Sequence, residues 1–223
     1  YDVGFEGEDE TLAWALRWFC AKNALDEHDD EDIAERLLSR EAARGFEPPF
    51  QVYSMRDPLW AEHPYKAAHT TVKETISTSG CGPTSMAMAV STLLGKAVLP
   101  PTLADWSNAH HHRDPEGIDG TYDSFFPACA DRYGLRAERY DMEGERSFDI
   151  IREALTKGGV VITNVKSTSP YTKGGHFNLV REMRGDYVHI GDPSPANLDK
   201  PDYTVADWIG GRWATHFFII SKP

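Results

Sequence analysis

The chain has 223 residues, enough for one domain with a sizeable core and an extension. Its composition, 40% hydrophobic and 26% charged, is that of a soluble globular protein, and no apolar run approaches the ~18 residues of a membrane span. A formal charge of −12 excludes a nucleic-acid binder, which needs clustered Lys and Arg against phosphates.

In chain order, residues 1–45 read as two helices. Leu12, Leu16, Phe19 and Cys20 recur at helical spacing in the first, and Ile33, Leu37 and Leu38 share a face of the second, which stops at Gly45. The acidic stretch DEHDDED between them suits a solvated turn. Its Asp29 and Asp30 complement the unpaired N–H groups of the following helix start. Composition and periodicity change over residues 45–50, so we divide the chain into an N-terminal helical extension, 1–45, and a main domain, 46–223. The extension either enlarges the core or covers the site of the main domain.

FQVYSM, residues 50–55, alternates like a strand and turns at RDP. GCGPTSMAMAVSTLLG then places Cys81 between two glycines and Pro83 in the first turn of a helix that ends near Gly95, with apolar residues along one face. Shorter helices are expected over residues 103–108, 122–133 and 148–157. The last third changes again: VVITNV, HFNLVREM, DYVHIGD and THFFIIS are rich in β-branched and aromatic residues and read as an antiparallel sheet. The layout is α+β, with helices first and strands afterwards.

Cys20, Cys81 and Cys129 lie far apart with no CxxC pair, which argues against a thiolate zinc site. Cys20 and Cys129 sit on apolar helix faces as core thiols or as partners in a bridge. His110, His111 and His112 are adjacent, so they cannot all face one ion, and they read as a solvated loop. His216 alternates with aromatic strand residues and reads as structural. No metal and no cofactor is expected. KSTSPYTKGG, residues 166–175, reads as a loop at the site mouth and a candidate lid.

Cys81 is the residue with a reason to react. Unpaired N–H groups and the dipole at a helix start favour thiolate over thiol, and the same groups can stabilise an oxyanion. The flanking glycines would allow unusual backbone angles and close approach of a substrate chain. A small residue packed at a helix cap explains the segment equally well. A nucleophile needs a base, and GGHFNLVREMRGDYVHIGDPS offers one. With a three-residue loop at Arg184–Asp186, Met183 pairs with Tyr187, His176 lies opposite Ser194 and Asp192 opposite Asn178. His176 and Asp192 are then diagonal neighbours on one face, about 7–8 Å apart at the backbone. A two-residue turn would put them on opposite faces. The arrangement suggests that Cys81 attacks, His176 takes and returns a proton, and Asp192 fixes the tautomer.

The segments YSMRDPLWA, SGCGPTSMAMAVSTLLG, GTYDSFFPACADRYGL, GGHFNLVREMRGDYVHIGDPSP and WATHFFII occur in an order that resembles the papain-like cysteine peptidases related to bacteriocin leader peptidases, the double-glycine-cleaving type. The likeness covers roughly residues 50–220. It implies a papain-like fold, a helical half packed on an antiparallel sheet, with Cys81 as nucleophile, His176 as base and acid, and Asp192 as orienting residue. It implies a peptide or protein substrate and a place outside the cytoplasm or at the surface of a bacterium. The chain begins at Tyr1, so the lack of a signal peptide says nothing about compartment. One position departs from the pattern: Met55 stands where relatives usually carry a Gln that donates to the oxyanion. Gln51, the one glutamine in the chain, is about 13 Å away along a strand. Loss of one oxyanion donor costs about 10²–10³ in rate. A binding module with impaired hydrolysis and a thiol acyltransferase are therefore the rival expectations to a cysteine peptidase.

Overall fold

The structure, a computed structural model, describes residues 51–66, 74–113 and 120–223. The two N-terminal helices, the boundary at 45–50 and Cys20 lie outside the described residues. The strand expected at the start of the main domain is absent. Residues 52–55 are buried in succession, not alternately, because the segment threads between a helix and a loop. The Gln51 N–H donates to Thr92 Oγ1 (3.0 Å), the Tyr53 hydroxyl to Ser91 Oγ (3.2 Å) and the Met55 N–H to the Pro193 carbonyl (2.7 Å), so no neighbouring strand receives them.

A single helical turn, α1 (Ile76–Ser79), is opened by a reciprocal Thr75–Thr78 capping box and leads through Gly80 into α2 (Cys81–Leu94). Gly95 ends α2 in the left-handed region (φ 69°), where its N–H reaches the Ser91 carbonyl. The expectation of one buried face is too modest, since every residue from Gly82 to Ser91 is buried. Small side chains let neighbours approach α2 from all sides. Two of its polar ones are satisfied internally: Ser85 Oγ donates to the Phe177 carbonyl (3.0 Å), and Ser91 Oγ donates to Val98 O while accepting from Val98 N–H. α3 (Pro100–Ala109) and α4 (Phe125–Arg132) complete this helical layer, close to their expected places.

The remaining elements are β1 (Arg136–Asp141), α5 (Glu145–Thr156), β2 (Val160–Val165), β3 (His176–Arg184), β4 (Tyr187–Gly191), a 3₁₀ turn at Pro195–Asn197, β5 (Tyr203–Thr204), α6 (Val205–Gly210) and β6 (Ala214–Ser221). Six strands form one antiparallel sheet in the order β1-β6-β2-β3-β4-β5. Strand alternation gives the sheet two apolar faces. Val160, Ile162, Phe177, Leu179, Phe218 and Ile220 pack with the α1–α4 layer. Val161, Val180, Val188 and Phe217 pack with Phe148 and Ile151 of α5 and Trp208 of α6. The expected α+β architecture, a helical half on an antiparallel sheet, is present, and α5 and α6 add a second layer behind the sheet.

Candidate active site

Cys81 is the first residue of α2, and the glycines on either side have a different cause from the expected one. Gly80 has an ordinary backbone (φ −87°, ψ 17°). A Cβ there would meet the Ile76 carbonyl oxygen at 2.6 Å, and one at Gly82 would meet Thr121 Oγ1 at 2.5 Å. The glycines are required by close packing on both sides of the cysteine. Behind Gly82, Thr121 Oγ1 hydrogen-bonds the Tyr65 hydroxyl (2.7 Å), which also meets Ser107 Oγ (3.0 Å). Arg113 lies 5.1 Å from the Tyr65 ring centroid and pairs with Glu74 at 2.9 Å. Burial pushes the Tyr65 hydroxyl up to about 12, so it remains a neutral hydrogen-bonding group.

The base arrives on the β3–β4 hairpin by an unexpected route. The turn is Gly185–Asp186, two residues with Gly185 at φ 60°, so that Arg184 pairs with Tyr187, Met183 with Val188 and Glu182 with His189. That register alone would separate His176 from Asp192. A β-bulge at Arg181 inserts one extra residue in β3, and beyond it Val180 pairs with Ile190 and Leu179 with Gly191. The bulge restores the pairing expected from a longer loop. His176 Nε2 meets Asp192 Oδ1 at 2.8 Å, and both side chains are buried.

That contact leaves Nδ1 as the ring nitrogen for the sulfur of Cys81, with which His176 is hydrogen-bonded. α2 is fastened to the same strand end twice, through the Ser85–Phe177 carbonyl bond and through the Phe177 N–H, which donates to the Cys81 sulfur. Burial, the largest influence on Cys81, pushes its thiol up. The hydrogen bond and charge of His176, with the Phe177 N–H, overcome burial, and the thiol lies below its ordinary value. For His176 burial again acts first, favouring the neutral ring. Asp192 and Cys81 outweigh it and hold the imidazole well above its ordinary value. The two shifts describe one proton, held by the imidazole rather than by the sulfur.

Asp192 is also the turn residue its position before Pro193 suggests. Its Oδ1 accepts the Ser194 N–H (2.7 Å), and Oδ2 accepts Asn178 Nδ2 (3.2 Å). Met55 is buried and tied by its N–H to Pro193, next to this loop. Gln51 is no replacement. Its backbone is fixed to Thr92, eleven residues further along α2 than Cys81 and about 16 Å away at 1.5 Å per residue. The first turn of α2 offers the N–H groups of Cys81 and Gly82, since Pro83 has none.

The other sequence candidates go elsewhere. His110 and His112 stack on Trp106, with centroids 4.6 and 5.2 Å away, while His111 is exposed. Among the described residues no three His, Cys, Asp or Glu side chains gather as a metal site requires. His216 bonds Asp123 (3.0 Å) and Thr215 (2.9 Å), a structural role. Cys129 is a buried free thiol pushed up to about 12 by burial. The candidate lid is anchored: the Lys166 N–H donates to Trp213 O, Asn197 Nδ2 to Tyr171 O and Lys200 Nζ to Pro170 O. Its tip, Lys173–Gly175, is exposed directly before His176. Sequence reasoning gave Ser85, Thr163 and Asn178 no part in the site. The available signal was polarity inside the apolar runs VVITNV and HFNLV.

Among solved structures, the chain is similar to the peptidase domain of Streptococcus ComA, a bi-functional ABC transporter involved in a quorum sensing pathway (15% identity, 65% of this chain and 93% of that chain, TM-score 0.48). It is also similar to a double glycine motif protease from an AMS/PCAT transporter in complex with the leader peptide (20%, 72% and 94%, TM-score 0.41). A C39-like peptidase from Bacillus anthracis matches at 14% identity over 65% of this chain and 90% of that one, with a TM-score of 0.46. A search of the curated proteins finds no match. The model of the Peptidase_C39 like family matches residues 61–215, a span that holds Cys81, His176 and Asp192, and the chain belongs to that family.

Proposed function

We propose that the chain is a cysteine peptidase, a thiol-dependent hydrolase of peptide or amide bonds, working through Cys81, His176 and Asp192. The observation that carries this reading is the hydrogen-bonded line from Cys81 through His176 to Asp192, in which the thiol is lowered and the imidazole raised. The thiolate attacks the scissile carbonyl carbon, and the carbonyl π pair moves onto oxygen, towards the amides at the start of α2. The imidazolium then gives its proton to the leaving nitrogen as the C–N bond breaks. Water enters the thioester, His176 takes its proton, and the acid product leaves with Cys81 restored. Asp192 keeps the ring oriented and balances its charge throughout. We further propose, from the family likeness alone, that this happens outside the cytoplasm or at the surface of a bacterium.

Met55 favours a second reading, a module that keeps the fold and binds peptides while hydrolysing them poorly. One experiment separates the two. The protein is treated near pH 6.5 with iodoacetamide, and hydrolysis of a fluorogenic peptide mixture is followed for the unmodified chain, Cys81→Ala and His176→Ala. The peptidase reading expects labelling at Cys81 and hydrolysis that either substitution lowers by about 10³-fold or more. Labelling at Cys81 without hydrolysis supports the binding module. Absence of labelling at Cys81 overturns the thiolate on which the peptidase reading rests.

A further inference from the structure

Behind the His176–Asp192 pair runs a line of buried polar side chains that the attack itself does not use. Thr163 of β2 and Asn178 of β3 are direct cross-strand partners, and alternation puts them on the same sheet face as His176. Neither is more than 1% exposed, and Asp192 is 1% exposed. Thr163 Oγ1 meets Asn178 Oδ1 at 2.5 Å, and Asn178 Nδ2 meets Asp192 Oδ2 at 3.2 Å. The amide orientation is fixed by chemistry. Turned over, Asn178 would present its carbonyl oxygen to a carboxylate oxygen, acceptor against acceptor. The Thr163 hydroxyl therefore donates to the amide oxygen, and the amide NH₂ donates to the carboxylate.

With this bond Asp192 is satisfied on both oxygens, by His176 and the Ser194 N–H on Oδ1 and by Asn178 on Oδ2. Without it that buried carboxylate oxygen would have no donor among the described residues, and the carboxylate could swing about its bond to the histidine. We propose that Asn178, held by Thr163, is a positioning residue that orients the Asp192 carboxylate and so keeps the proton of the Cys81–His176 pair on the imidazole. This rests on the peptidase reading of the site and adds two residues to it. Two further ionisable groups interact with the site: Tyr171, from the loop before β3, with Asp192, and Tyr65, ahead of α1, with Cys81. Burial raises both hydroxyls and keeps them neutral, so neither can substitute for Asn178 in setting the charge there.

The test reads the sulfur directly. The rate of iodoacetamide alkylation of Cys81 is measured from pH 4 to 10, by peptide mapping, for the unmodified chain, Asn178→Leu, Thr163→Val and Thr163→Ser. The expected result is an acid limb below the ordinary thiol value of about 8.5 in the unmodified chain, moved up by about one pH unit in Asn178→Leu. Thr163→Val moves it the same way by less, and Thr163→Ser, which keeps the hydroxyl, restores it. Thr163→Val is close to isosteric and stays informative where Asn178→Leu fails to fold. A low acid limb unmoved in Thr163→Val and in folded Asn178→Leu, with only the melting temperature reduced, overturns the positioning role and leaves the peptidase reading standing. An acid limb at the ordinary thiol value in the unmodified chain removes both.

Discussion

Burial alone would keep Cys81 protonated, and Cys129 shows that outcome in the same fold: with no imidazole beside it among the described residues, its thiol is pushed up to about 12. At Cys81 the desolvation penalty is also the largest influence, yet the thiol ends below its ordinary value, because His176 and the Phe177 N–H bond the charged form. Location at a helix start is therefore only part of the cause, and the strand that brings His176 supplies the rest. Met55 itself supplies no donor to the site. The thioether offers no N–H, and the backbone N–H of Met55 is bonded to Pro193. Met55→Gln should raise kcat for peptide hydrolysis at least tenfold, towards the 10²–10³ that one oxyanion donor typically contributes, with little change in KM. Steady-state kinetics on one fluorogenic peptide reads this. An unchanged kcat would mean that the Cys81 and Gly82 amides already serve the oxyanion.

At the level of elements, the site depends on how closely α2 can approach what surrounds it. Gly82→Ala puts a methyl group into Thr121, which is itself fixed by Tyr65, and should lower the unfolding free energy by about 1–3 kcal/mol while slowing neutral-pH alkylation of Cys81. Gly95→Ala at the other end of α2 strains a left-handed residue with open space around it. It should cost about 1–2 kcal/mol and leave alkylation unchanged. Urea unfolding with a parallel alkylation assay checks both. The limits of α2 were legible in the sequence because Cys81, Pro83 and Gly95 each have a local backbone reason for their places. β2, β3, β4 and β6 were legible because the apolar faces they bury are built of β-branched and aromatic residues. β1, RAERYD, was not, since it is an edge strand with no buried side chain, joined to the sheet through its pairing with β6. The strand expected at residues 50–55 failed for the opposite reason, four successive residues being buried. The hairpin is the instructive case. The inferred His176–Asp192 pairing is present although the turn is one residue shorter than supposed, because the bulge at Arg181 adds one residue back. No side-chain pattern announces a bulge, so the offset was beyond sequence reasoning.

Over the whole molecule, the candidate site lies where the two halves join. Cys81 belongs to the α1–α4 layer, His176 and Asp192 to the sheet, and the bonds Ser85–Phe177, Phe177–Cys81 and Met55–Pro193 cross between them. The charged pair exists only when both halves are docked, so its titration must appear in global stability. The sign follows from each partner. His176 is raised, so its contribution is complete below the ordinary imidazole value and is lost as pH rises through the raised one. Cys81 is lowered, so its contribution is complete above the ordinary thiol value and is lost as pH falls through the lowered one. Between the two ordinary values, about 6.5 and 8.5, the slopes cancel, because folded and unfolded chains then hold the same number of protons on the pair. Stability measured against Cys81→Ala/His176→Ala, which carries neither group, should therefore be flat across that window and decline on both sides of it. Urea unfolding of both proteins from pH 5 to 10 gives the difference directly. A difference that keeps rising through pH 8 would mean that the folded pair has already given up its proton, so that His176 is not raised.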